Sequence, residues 1–203
     1  MGIAEILGIA ASVSLLAGWR LYLAVLATGL AMRFGALPLP EHLTSLQVLA
    51  NPWVMSAAGF AAVMEFFADK VAWLDSVWDG IHTVIRPLGG AMLALAVVDA
   101  GDPATQAIAF LLGGAGALVA HGGKAGARAV INASPEPFSN VVVSTAEDIA
   151  TAGLLALAYT HPVAAGAIAL VLLGLALWLL FAARRVLKRL FGRRPASEAP
   201  PPT

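Results

Sequence analysis

Apolar runs dominate this chain, and polar residues break into them in two blocks. Six stretches are apolar enough to enter a bilayer: residues 3–32, 52–68, 87–98, 104–120, 141–159 and 163–183. A full crossing takes about 20 residues, so the third must borrow from the polar segment before it. The first is long and carries Gly18-Trp19-Arg20 near its middle. That predicts a tilted helix or one broken at Gly18. Turn chemistry separates the runs at Pro38-Leu-Pro40, Asn51-Pro52, Asp102-Pro103 and His161-Pro162. Proline costs nothing at the first helical position, so three helices have defined starts. Runs of Gly and Ala, such as Gly113-Gly-Ala-Gly116, suit close helix packing in lipid.

The pattern predicts an all-α, polytopic transmembrane helix bundle of about six spans. Segment 73–86 reads as a short amphipathic or re-entrant piece, and 132–140 as an irregular Pro-rich turn. Residues 1–191 form a single integral membrane domain. Residues 192–203 are a Pro/Ala-rich tail expected to be disordered.

Composition agrees. Of 203 residues, 60% are hydrophobic and 12% charged, where a soluble domain carries roughly 25% charged residues. Net charge is zero, so no nucleic-acid partner is implied, and with no cysteine there are no disulfides or thiolate sites. The start lacks the basic region of a secretory signal, so the first run reads as a retained helix. Lys and Arg set the orientation. Counting back through six spans from the basic tail puts ten of them on one side and only Arg33 on the other, with Arg20 inside a span. By the positive-inside rule the basic side is cytoplasmic. The expectation is a bacterial inner (cytoplasmic) membrane protein, multi-pass, with both termini cytoplasmic; a five-span alternative would put the N-terminus outside.

Thirteen charged or histidine side chains fall in the two polar blocks. Ionisable groups are costly beside hydrocarbon and usually mark a cavity, pathway or site. In the first block, Asp75, Asp79, His82 and Arg86 follow a helical stripe, as do Glu65 and Asp69, with Lys70 beside them. Asp75, Asp79 and His82 could hold a divalent metal ion, or relay protons. The bland alternative is an amphipathic helix lying on the membrane surface. In the second block, His121, Lys124, Arg128 and Asn132 share a face if the helix continues through its glycines. Ser139 and Asn140 suit an N-cap, and Glu147 and Asp148 lie a third of the way into a span. Glu65 and Glu147 are expected inside the bundle, against Lys124 or Arg128. The blocks hold seven carboxylates against four fixed cations. The surplus needs protons, histidinium, Arg20 or a bound monovalent or divalent cation.

Ala68-Asp-Lys70, Trp78-Asp-Gly-Ile-His82, Ile85-Arg-Pro87, His121-Gly-Gly-Lys124, the run from Asn132 through Pro135-Glu-Pro137 to Asn140, and Glu147-Asp148 together carry a resemblance. Over roughly residues 1–180 the chain resembles a bacterial membrane family of unknown function, domain of unknown function four-one-two-six. The resemblance implies a multi-pass membrane protein and supplies no catalytic residues.

Three functions fit. The first is a small transporter or channel with a cytoplasm-facing polar site for a cation or proton, with Lys124 and Arg128 taking an anionic solute. The second is a membrane scaffold or assembly protein. The third is a metal-dependent enzyme acting on a lipid phosphate; against it, no nucleophile-base set and no nucleotide-binding Gly loop is present. The partners are then the lipid bilayer and a small charged solute or proton, and a homo-oligomer stays open.

Overall fold

A computed structural model describes residues 2–34, 47–98, 101–132 and 138–191, apart from the side chains of residues 72, 139, 140, 190 and 191. Six helices follow one another: α1 (Ile3–Arg33), α2 (Pro52–Ala68), α3 (Ala72–Val98), α4 (Pro103–Asn132), α5 (Phe138–Thr160) and α6 (Pro162–Phe191). Among the described residues there is no strand. Five helices are long and apolar enough to cross a membrane, and α2 is a shorter apolar helix. The prolines work as the turn chemistry predicts. The Asn51 side chain accepts a hydrogen bond from the Trp53 amide at 2.9 Å, with Pro52 opening α2. The Asp102 carboxylate accepts from the Ala104 and Thr105 amides at 3.0 and 3.1 Å.

Segment 73–86 is amphipathic, as its pattern predicts, but it does not lie on the surface. It forms the first half of α3 and runs without a break through Pro87 into the span. Its polar stripe of Asp75, Asp79, His82 and Arg86 is buried in the bundle, while Trp73, Val77, Ile81 and Val84 face outward. A water-facing stripe would be exposed, the reverse of what is seen. The glycines after His121 likewise do not end α4, which continues to Asn132. The turn after it (133–137) and the tail (192–203) lie outside the described residues.

Helix α1 departs most from the sequence expectation. Its backbone leaves helical geometry at Arg20 (φ −143°, ψ 64°), two residues past the expected break at Gly18. Straight, it would separate residues 8 and 28 by about 30 Å. Yet Gly8 sits against the Pro162 carbonyl at the start of α6. Thr28 hydrogen-bonds the Tyr159 hydroxyl in the last turn of α5, at 3.3 Å. Those two partners are only three residues apart. The first half of α1 therefore runs down beside α4 and α6, with Gly18 against Ala117 and His121. The second half runs back beside α2, with Leu26 near Gly59 and Gly29 against Leu49 and Met55. Helix α1 is a hairpin of two half-helices with Arg20 at its tip.

The consequence is topological. Gly2 and Arg33 both lie at the end where α4 and α6 begin, and Phe191 lies at the other. The first and last described residues thus lie at opposite ends of the bundle, where the sequence reading expects both termini on one side. The basic asymmetry could not reveal this. No Lys or Arg precedes Arg20, and Arg33 falls on the same side whichever path α1 takes.

The hairpin packs at the centre of the bundle. Ile9, Val13, Ala17 and Leu21 form one buried cluster with Leu93, Val97 and Ala117. Leu15, Leu16 and Ala24 form another with Leu154, Leu155, Ala158, Ala165 and Ala169. Small residues let the backbones close on one another. A Cβ on Gly8 would strike the Pro162 carbonyl, and one on Gly18 the Ala117 carbonyl, so only glycine fits at either position.

Candidate functional site

The tip of α1 enters a cluster built from both polar blocks. Arg20, buried within an otherwise apolar run, forms an ion pair with Asp69 in the α2–α3 turn. Its Nε lies 3.0 Å from Asp148, and its Nη2 donates to the Ser144 carbonyl and hydroxyl at 3.1 and 3.0 Å. Lys124 Nζ reaches Asp69 at 3.2 Å and Glu147 at 3.5 Å. It also donates at 3.2 Å to the Trp19 carbonyl, at the break in α1. A cation there sits at the negative end of the first half-helix. Arg128 donates to Glu147 and to the Asp69 carbonyl, both at 2.9 Å. Burial raises the Asp69 carboxyl, but Lys124, Arg20 and Arg128 outweigh it and hold it below the usual carboxylate range. Lys70, at the edge, donates to the Phe66 carbonyl at 3.1 Å and to Ser144 at 3.4 Å, and stacks over the Phe66 ring.

A second cluster adjoins it. Arg86, fully buried, donates to Glu65 at 2.5 Å, to Asp79 at 3.0 Å and to His121 Nδ1 at 2.7 Å. A guanidinium can only donate. His121 must therefore accept at Nδ1 and carry its proton on Nε2, which points at the Asp79 carbonyl, 3.1 Å away. Charging His121 would set two donors face to face. His82 differs. Its Nδ1 lies 2.7 Å from the Trp78 carbonyl, so the proton is on Nδ1, and Nε2 lies 2.9 Å from the Tyr22 hydroxyl. That hydroxyl can donate or accept, so His82 can gain a proton where His121 cannot. The Trp78 ring stacks on His82 at 4.5 Å.

Most of the sequence-derived candidates meet here: Glu65, Asp69, Lys70, Asp79, His82, Arg86, His121, Lys124, Arg128, Glu147 and Asp148. Asp75 and Asn132 sit beside them, joined at 2.9 Å. Ser139 and Asn140 fall within the first turn of α5 rather than ahead of it, and their side chains lie outside the described residues. Two expectations change. Glu65 pairs with Arg86, not with Lys124 or Arg128, because α2 and α3 are hairpin neighbours. Asp75, Asp79 and His82 do not converge as a metal set. Asp79 is held by Arg86, His82 by Tyr22 and Trp78, and Asp75 by Asn132. Among the described residues no group of three or more His, Cys, Asp or Glu is placed to hold a metal ion. Arg20, Tyr22 and Ser144 were not singled out as site residues. Arg20 carried the available signal, a charge inside an apolar run beside a glycine.

With Arg20 included, the charges nearly balance. Six carboxylates (Glu65, Asp69, Asp75, Asp79, Glu147, Asp148) face five cations (Arg20, Lys70, Arg86, Lys124, Arg128). The seventh acid of the blocks, Glu136, lies outside the described residues.

At the opposite end a 710 Å³ cavity opens between the first half of α1 and helices α3, α4 and α6. Its lining is apolar apart from Ser14 and Thr105.

No curated protein and no solved structure matches the chain. One family model does, described as Domain of unknown function (DUF4126), over residues 7–182. That stretch takes in α2 to α5 whole, most of the α1 hairpin and of α6, and both polar blocks. The chain belongs to this family of unknown function, as a multi-pass helical membrane protein.

Proposed function

We propose that the protein is a small ion-coupled membrane transporter whose binding site is the polar cluster beneath the tip of α1. One observation carries the reading. A broken helix delivers a buried arginine and the Lys124-bound Trp19 carbonyl into a cluster holding both signs of charge. Discontinuous helices that place backbone ends and charges inside the bilayer are how many transporters build their sites. Buried side chains of both signs suit a cation or proton on the acidic members and an anionic solute on Lys124, Arg128 and Arg20.

The site faces the cytoplasm in this reading. Arg184, Arg185, Lys188 and Arg189 end α6 on the same side as the cluster, against Arg33 on the other. The first half of α1, residues 3–19, is about 25 Å long. Its tip therefore lies near the far edge of a hydrocarbon core about 30 Å thick. The membrane is a bacterial inner membrane. Residue 2 is then outside and residue 191 inside. Single cysteines at Ile3 and Arg185 in this cysteine-free chain should label from opposite faces of oriented vesicles; labelling from one face would overturn the arrangement.

Reconstitution tests the function. Proteoliposomes assayed with a panel of cation, proton and anion fluxes should show flux that falls at least tenfold in Glu147→Gln. A second reading, a membrane scaffold, is favoured by one feature: most charges in the cluster already satisfy one another. Absence of flux from the folded protein, or a Glu147→Gln variant with full flux, would move the conclusion to the scaffold.

A further inference from the structure

Asp75 stands apart from every other acid in the cluster. Glu65, Asp69, Asp79, Glu147 and Asp148 each have an arginine or lysine nitrogen close enough to form an ion pair. Asp75 is in none of these pairs. It is fully buried. One oxygen, Oδ2, accepts from the Asn132 amide at 2.9 Å. The other, Oδ1, has no hydrogen-bond partner. Asp69 and Glu65 also have one bare oxygen each, but in both the other oxygen meets a cation. Among the described residues, the charged groups that act most on Asp75 are Arg128 from α4, Asp69 from the α2–α3 turn and Asp79 one turn along its own helix. Arg128 is already engaged by Asp69 and Glu147. Two acids and one committed cation do not supply a counter-charge. Among the described residues, the surplus carboxylate of the cluster is therefore Asp75.

A bare carboxylate in such a place is far costlier than the neutral acid. The amide beside it suits either form. Asn132 can donate Nδ2–H to a carboxylate or, turned over, accept the acid's O–H on its carbonyl oxygen. Asp75 lies in the first turn of α3, level with the last residue of α4, at the basic end of the bundle. Asp79 and Arg86 lie further along α3 from that end.

We propose that Asp75 is a proton-binding site: its carboxylate takes up one proton to become a neutral carboxylic acid paired with Asn132, and releases it to the basic side. This rests on the transporter reading for its purpose, since it names the coupling ion as a proton. The site itself does not depend on transport.

The experiment separates the two. Infrared spectra of the full-length protein in nanodiscs, taken from mildly acid to alkaline pH, should show the carbonyl band of a buried protonated carboxyl that fades as pH rises. The band should vanish in Asp75→Asn and persist in Asp79→Asn. A wild type without the band, or a band that survives in Asp75→Asn, overturns the proposal. Melting in detergent gives an independent reading. Asn mimics the neutral acid, so Asp75→Asn should match the wild type in acid and melt above it increasingly as pH rises. A variant that melts below the wild type at alkaline pH would mean that Asp75 works as a paired carboxylate, and would overturn the site. If the band behaves as expected but no proton-coupled flux occurs, the site stands and the transporter reading falls. If proton-coupled flux persists in Asp75→Asn, transport stands and Asp75 is not its proton carrier.

Discussion

The two ends of the α1 hairpin region are held by opposite means. At the tip, Arg20 is fixed by charge to Asp69 and Asp148, with Ser144 filling the remaining donors. At the open end, Gly8 is fixed by shape, backbone against backbone, to Pro162 and Gly166. Charge pairs in a buried place depend on every member being present, because each makes the burial of the others tolerable. Shape packing in lipid depends on the absence of atoms, and tolerates polarity changes elsewhere. The comparison teaches where the protein can respond to its surroundings. The tip gathers titratable side chains of both signs, whereas the cavity at the open end is lined by none.

The largest effect should come from removing the hub of the tip. Arg20→Ala leaves part-exposed Asp148 without its ion-pair partner, while Asp69 keeps Lys124 and Arg128, so the loss should lie near the lower end, about 3 kcal/mol, of what breaking a buried pair costs. Chemical or thermal unfolding in detergent should show that loss. Arg20→Lys should recover only part of it, because an ammonium cannot span the carboxylates and the Ser144 oxygens as a planar guanidinium does. Full recovery by lysine would mean that charge alone, without the fork, holds the tip.

A smaller loss should follow at the open end. Gly8→Val forces the start of α6 away from α1, and overpacking of this kind costs about 1–3 kcal/mol. The same unfolding measurement reads it. The variant should leave the titration of the cluster unchanged, since the charged tip is a half-helix away. An altered titration would show that the two ends are not separable.

The smallest effect lies outside the bundle, at Asp102. Its fully exposed carboxyl is held below the usual value by hydrogen bonds from Thr105 and Ala104 at the start of α4. A lowered value means that its contribution is present at neutral pH and lost as pH falls through the carboxyl range. Asp102→Ala should therefore lower the melting temperature slightly at neutral pH and not at all in strong acid. An effect that grows in acid would contradict the cap.

Much of this architecture is legible in the sequence. Apolar length and proline-marked turns determine six helices, and the clustering of charges inside apolar context determines that a polar centre exists. The stripe Asp75, Asp79, His82, Arg86 and the depth of Glu147 follow from helical spacing alone. What spacing leaves open is which side a stripe faces. Burial by neighbouring helices turned the α3 stripe inward, since Arg86 finds Glu65 and His121 only there.

The partners of each charge, the path of α1 and the isolation of Asp75 were decided by tertiary structure. A break in a helix reverses the chain only if something waits to hold both arms, and here α6 receives Gly8 while Leu49 and Met55 receive Gly29. The positive-inside count is blind to that reversal because the first arm carries no Lys or Arg. Counting acids and bases exposed a surplus of carboxylates. Only three-dimensional proximity, which brings Arg20 from a distant helix to Asp69 and leaves Asp75 with a neutral amide, identifies which carboxylate is surplus.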